Sequence, residues 1–377
     1  MTLDELLTEI RERRGSDLYL TAEAQPLVRV DGSTLPIHDQ PLPADEVEAM
    51  IRAALSAADQ AEFDRTHELN TARMIKGVGR FRLNVFRQRG QVGLVARLIP
   101  IRFPTAQELG LPASLLELIM HKRGLVLVTG ATGSGKSTSL AALIHHRNLN
   151  TRGHILTIED PIEFVHDHQG CVVTQREVGV DTASFGAGLK SALRQAPDVI
   201  LIGEMRDLET VEAALHFSET GHLVLGTLHA NNANQAVERF LNFFPAELHA
   251  QIYAQLALNI RGIVSQRLVP RVGGEGRVAA IEVMLNTPRV ADLIAKGEIG
   301  AIKSVIEDNL LDGSQSFDQA LFHLVQRGEI ALDEALRQAD SANNLRLRIK
   351  MSAGVAAPEK PLFSVKQKDI DEEGWAA

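Results

Sequence analysis

The sequence predicts an α/β protein in two parts, a mixed α+β region over residues 1–99 and a parallel-rich sheet flanked by helices over residues 113–350. Three observations carry this. The chain has 377 residues, room for two cores at roughly 150 residues per domain. Its second part alternates apolar strands (GLVLVTG, HILTIE, DVILIGE, HLVLGTLH) with helical patterns, as parallel sheets with crossover connections do. Between the parts, PIRFPTAQELGLP at 100–112 holds three prolines and no periodicity, and reads as a linker.

Taken in order, an amphipathic helix is expected over 3–14 and a short strand over 18–21. LVRVDGSTLPI alternates around Asp31-Gly32, a two-residue hairpin signal. Helices follow over 44–55 and 57–65, then β-like segments over 68–74, 79–86 and 92–98. In the second part, helices are expected over 136–150 and 207–220. They dominate again over 234–267 and 288–350, with a strand at 278–285 between. The tail, 351–377, mixes proline, lysine and acid with little apolar content, and is expected to be disordered.

Composition removes several functions. Net charge is 39 − 48 = −9, so no global basic field exists to hold nucleic acid, and none is expected as a partner. Aromatics are 4% of residues, too few for a surface that captures bases by stacking. One cysteine, Cys171, excludes an internal disulfide framework and fits a reducing compartment. The N-terminus lacks the apolar core of a signal peptide, and no apolar run approaches the roughly 18 residues of a membrane span. A cytosolic protein is expected.

GATGSGKS, at 130–137, follows an apolar strand and precedes a helix, the context a phosphate-binding loop requires. Gly130, Gly133 and Gly135 let the backbone aim N–H groups at phosphate oxygens, and the helix N-terminus adds partial positive charge. Lys136 would reach the β- and γ-phosphates of ATP, and the Ser137 hydroxyl would ligate Mg²⁺. Ala131, Thr132, Ser134 and Thr138 complete the nucleotide-binding segment.

TIEDPIEF places Glu159, Asp160 and Glu163 at the end of the next strand, where strand ends converge on the ligand crevice. Carboxylates there can hold the metal's waters or accept a proton from attacking water. DVILIGEMRD has the layout of a Walker B strand, but Gly203 stands at the usual acidic position and leaves Glu204 as the carboxylate. His222 and His229 bracket HLVLGTLH and lie on opposite strand faces, so they are not expected to share a metal. His229 is either a hydrogen-bonded structural residue or a γ-phosphate sensor. Arg80, Arg82, Arg87, Arg89 and Arg97 crowd the last two β-like segments of the first part. They read either as a solvated sheet face or as a source of phosphate-directed guanidinium groups.

These boxes, in this order and spacing, resemble the secretion and type IV pilus ATPases, from GSDLYLTA near the N-terminus to about residue 350. TIEDPIE looks like that family's Asp box, LIGEMRD its glycine-bearing Walker B, and GHLVLGTLHANNA its His box. Within the family the chain is similar to the retraction branch, PilT and PilU, through TGATGSGKSTSLAA, HQGCVVTQREVG and ALRQAPDVILIGEMRD. Two features lean toward PilU: the segment HANNANQAVERFLNFFPAELH, and GAIKSVIED at 300–308, where PilT would carry an AIRNL-type motif.

The resemblance implies a ring hexamer of protomers, each with a PAS-like N-terminal domain and a RecA-like P-loop ATPase domain. It implies that Lys136 and Ser137 hold the phosphates and magnesium, that Glu163 is the general base, that Glu204 orients water or the metal shell, and that His229 senses the γ-phosphate; Ser137, Glu159 and Glu204 are the expected Mg²⁺ site, partly through water. Arg82 and Arg97 match the arginines that approach the nucleotide, and His222 a coupling or structural position. Expected partners are a second, PilT-like retraction ATPase and a PilC-like inner-membrane platform protein, which would hold this cytoplasmic protein at the membrane. Alternatives are a non-hydrolysing or partner-dependent scaffold subunit and a type II secretion-type ATPase.

Overall fold

The computed structural model describes residues 1–30, 32–99, 104–274, 276–308 and 313–352. Asp31 of the expected hairpin, the first four linker residues and the tail beyond residue 352 lie outside the described residues.

The chain begins with α1 (Leu3–Glu12), started by a capping box in which the Glu5 N–H donates to Thr2 Oγ1 at 3.3 Å and the Thr2 N–H to Glu5 Oε2 at 2.8 Å. Leu3, Leu6, Leu7 and Ile10 recur at helical spacing and are buried. Next come β1 (Asp17–Thr21), β2 (Leu27–Val30), β3 (Ser33–Pro36), α2 (Ala44–Ala54), α3 (Ala57–Thr66), β4 (Glu68–Ile75), β5 (Gly79–Gln88) and β6 (Gln91–Ile99). Their strands form one antiparallel sheet in the order β3-β2-β1-β6-β5-β4. Phe81, Leu83 and Val85 of β5 face the core with Phe63 of α3. Period-two alternation turns Arg80, Arg82 and Asn84 to the other face. That alternation turns Arg80 toward Glu177 and Arg82 toward the Ile162 carbonyl.

After α4 (Ala113–Ile119) the remaining elements are β7 (Gly124–Thr129), α5 (Lys136–Asn150), β8 (Gly153–Glu159), β9 (Cys171–Glu177), α6 (Phe185–Ala192), β10 (Val199–Ile202), α7 (Leu208–Glu219), β11 (Leu223–Leu228), α8 (Ala233–Leu241), α9 (His249–Asn259), β12 (Ile260–Pro270), β13 (Arg277–Leu285), α10 (Pro288–Lys296), α11 (Ile302–Asp308), α12 (Phe317–Gln326), α13 (Leu332–Gln338) and α14 (Ala342–Ser352). The sheet order is β13-β12-β7-β11-β10-β8-β9, parallel throughout except for the antiparallel β12–β13 pair. All six residues of β7 and of β11 are buried, as strands covered on both faces must be. One large apolar cluster joins the sheet to α7, α8, α9 and α10, and a second joins its other face to α4 and α5.

The strands and helices around the motifs stand where the sequence puts them, with three differences. Two elements, β9 and α6, were not anticipated. The helical reading of 234–267 is corrected: the helices end at Asn259, and Ile260–Pro270 is a strand. Its run IVSQRLV is buried on both faces, so neither period shows in the apolar pattern.

Candidate active site

The C-terminal ends of β7, β8, β10 and β11 open on one crevice, the edge where open parallel sheets bind ligands. Its cavity of about 280 Å³ is lined by Lys136, Ser137, Glu159, Glu163, Glu204 and His229 among others. Six residues scattered over 93 positions of sequence, from 136 to 229, thus converge.

No side chain caps the N-terminus of α5, leaving its first N–H groups open to an anion. Lys136 Nζ donates to the carbonyls of Gly130 at 2.8 Å and Ala131 at 3.0 Å, both within its own loop. Burial lowers its ammonium pKa, and Glu204 and Glu163 oppose that. Thr132 and Gly133 also line the cavity; of the other predicted loop residues, Gly130, Ala131 and Ser134 line a neighbouring cavity with Gln266, and Gly135 and Thr138 do not line the crevice.

Gly203 explains its own presence in the Walker B strand. A Cβ there would lie 3.1 Å from both Glu159 Cα and the Ile158 carbonyl, because the Gly203 N–H donates to that carbonyl at 2.8 Å. The close approach of β10 to β8 makes a side chain tight at 203, and the carboxylate stands one residue on. Glu204 is then held by two side chains. Arg206 Nη2 donates to Oε2 at 2.6 Å, and His229 Nε2 lies 2.9 Å from Oε1. The Arg206 guanidinium holds the Glu204 carboxyl below the usual range despite partial burial. Arg206 also lies 3.7 Å from Asp160.

Glu159 is different. Burial raises its carboxyl, and Oε1 already accepts from Thr157 Oγ1 at 2.6 Å and Gln175 Nε2 at 3.2 Å. Glu163 is exposed at the crevice. Among the described residues no cluster of three or more His, Cys, Asp or Glu side chains could hold a metal by itself. An ion here would rest on Ser137 Oγ, Glu204 and oxygens from elsewhere, which suits Mg²⁺ bound with substrate phosphates and water.

The two arginines of the first sheet part company. Arg82 Nη2 reaches the Ile162 carbonyl of the Asp box at 3.5 Å, and burial lowers its pKa while Glu177 and Glu163 raise it. Arg97, its cross-strand partner, donates from Nε to Asp17 Oδ1 at 2.7 Å, and neither arginine lines the cavity. Arg80 makes the stronger crossing, pairing at 2.9 Å with Glu177, which is buried and also accepts from the Ile162 N–H at 3.3 Å. His222 sits at the other end of β11, its Nδ1 3.2 Å from the Phe217 carbonyl and its ring edge-on to Phe217.

Sequence reasoning missed Arg206, Arg80 as a bridge, and Glu177. Arg206 stood in EMRD beside Glu204, so its signal was available; Glu177 lies on β9, which was not anticipated.

The profile of the family described as Type II/IV secretion system protein matches residues 106–337, more than half of the chain. The chain belongs to this family. It is 51% identical over 94% of its length to the type IV pilus ATPase PilU of Pseudomonas aeruginosa, covering 92% of that protein. It is 42% identical over 91% of its length to the PilT retraction ATPase of the same organism, covering all of it. The crystal structure of a pilus retraction motor PilT with bound ADP superposes with a TM-score of 0.85 at 41% identity, covering 92% of this chain and 99% of that one. Within the family the chain therefore stands in the PilT/PilU branch of type IV pilus ATPases. No helix among the described residues is long and apolar enough to cross a membrane.

Proposed function

We propose that this chain is an ATP-hydrolysing motor subunit that powers type IV pilus retraction, in the manner of PilU and as one protomer of a homohexameric ring. The observation that carries the chemistry is the convergence of Lys136, Ser137, Glu163, Glu204 and His229 on one crevice. Residues 1–99 and 113–350 are read as its two domains, joined by the linker at 100–112.

On this reading the open N–H groups of the loop and α5 receive the β- and γ-phosphates, and Lys136 exchanges its two loop carbonyls for phosphate oxygens. Ser137 and Glu204 would hold Mg²⁺, which would supply charge neutralisation for the phosphates. Glu204, kept ionised by Arg206, is a weak base and a good cation partner. Glu163, exposed at the same crevice, accepts the proton of the attacking water. His229, already on Glu204, reports the γ-phosphate to β11. Arg82 approaches from the first sheet; Arg97 would need to leave Asp17 to join it. A PilT-like ATPase and a PilC-like platform protein are the proposed partners, which would place this cytoplasmic protein at the inner membrane.

Steady-state ATP hydrolysis by the full chain tests this, with oligomeric mass recorded alongside. Lys136→Ala and Glu163→Gln should each lower kcat at least about 100-fold without dissociating the ring. A wild-type hexamer that binds ATP but hydrolyses no more than these variants would move the assignment to a partner-dependent scaffold.

A further inference from the structure

The strand the sequence misread borders the phosphate loop. In β12, Ser265 pairs with Thr129, the last residue of β7, so Gln266 lies just beyond the end of β7, where the loop begins. Its side chain is 3% exposed. The amide is used at both ends: Nε2 donates to the Ser134 carbonyl at 2.9 Å, and Oε1 accepts from Ser139 Oγ on α5 at 2.8 Å. One planar group thus joins the middle of the loop to the helix that follows it.

The fit is close at both ends of the loop. A Cβ on Gly130 would lie 2.5 Å from the Gln266 carbonyl oxygen, and one on Gly135 would lie 2.8 Å from Gln266 Nε2. Both glycines also have positive φ, +148° and +87°. They are needed for the turn and for the approach of Gln266.

We propose that Gln266 is a positioning residue for the phosphate loop, holding the Ser134 peptide so that the loop's N–H groups face the nucleotide phosphates. This rests on the reading of residues 130–137 as the nucleotide site. Gln266 acts through the loop and touches no substrate. Neighbouring side chains on β12 point the other way and serve other elements. Ser265 Oγ donates to Glu282, and Arg267 Nη1 to the Gln338 carbonyl at 2.6 Å. The amide of Gln266 thus ties this part of β12 to the loop by hydrogen bonds, beside the apolar side chain of Leu268, whose methyls would lie 3.6 Å from a Cβ on Gly135.

The test measures ADP affinity of the full chain by calorimetry, far below the unfolding temperature, with KM and kcat for ATP alongside. Gln266→Met keeps the volume and loses both hydrogen bonds; Gln266→Glu keeps an acceptor for Ser139 and loses the donor to Ser134. Both should raise the ADP Kd and the ATP KM about tenfold, with kcat changed less. Ser139→Ala, which frees the amide without touching the loop, should raise Kd about threefold and add nothing in the Gln266→Met background. Folded Gln266 variants that bind ADP as wild type does would overturn the proposal. If neither Gln266 variant folds, an unchanged Kd in Ser139→Ala overturns it. A wild-type chain that binds no ADP would instead refute the nucleotide-site reading itself.

Discussion

Replacing Glu282 by glutamine should abolish a pH dependence of stability near neutrality. Glu282 lies on β13 opposite Ser265 and is 2% exposed. Its Oε1 accepts from the Ala233 N–H at 2.7 Å and from Ser265 Oγ at 3.1 Å. Burial outweighs these two bonds and pushes the carboxyl from 4.5 up to about 7; Asp340 adds to the rise and Arg267 opposes it. A raised acid pKa means that the folded state holds its proton more tightly than the unfolded chain. The contribution of Glu282 to stability is therefore fullest below about pH 4.5 and falls as pH rises toward 7, after which its deficit is constant. A difference of about 2.5 units corresponds to a loss on the order of 3 kcal/mol across that window. Glu282→Gln keeps an acceptor for both donors and cannot ionise. Thermal unfolding of both proteins at pH 5, 6, 7 and 8 should show the variant gaining on wild type as pH rises, by roughly 6 °C or more in total. A gap that stays constant from pH 5 to 8 would refute the reasoning, because it would mean that the buried carboxyl does not titrate there. The site matters beyond stability. Ala233 opens α8 directly after the loop that follows His229, so Glu282 anchors the far end of the His-box turn.

Two more predictions follow from the cations around the crevice. Arg206→Ala removes the 2.6 Å bond that keeps Glu204 acidic, and should lower kcat for ATP about tenfold or more with less effect on KM; an unchanged kcat would show that His229 alone suffices to hold Glu204. Arg80→Met removes the paired cation of the buried Glu177, leaving Arg82 nearby, and should destabilise the protein to denaturant by about 2–4 kcal/mol, with much of the loss recovered when Glu177→Gln is added.

The segment 300–308 has a defined place in the fold. Ile302, Val305 and Ile306 are buried in the large core cluster with Val237 and Phe240 of α8. Lys303 pairs with Asp340 at 3.1 Å, and Asp340 also accepts from Arg267 at 2.9 Å. This segment therefore packs on the helix that follows the His box and is tied to the C-terminal helices.

The sequence by itself determined the α/β class, the strands that carry the boxes and the identity of most crevice residues. Those signals are local: an apolar run, then a glycine-rich turn, then a lysine and a helix at 124–150, and a strand ending in carboxylates at 153–163. The helix over 136–150 was legible to the residue because its loop marks its start. Contacts between distant segments were decided by the tertiary structure alone. Arg82 and Arg97 look equivalent in sequence, yet pairing with β1 sets Asp17 beside Arg97 and leaves Arg82 to reach the Asp box. The same holds for Gln266, which lies 132 positions from the carbonyl it holds, in a strand whose two-sided burial erases its period. Nothing in the apolar pattern of 260–270 marks that residue, because hydrophobic periodicity records which side chains leave water and not which polar group they bring within reach of a loop.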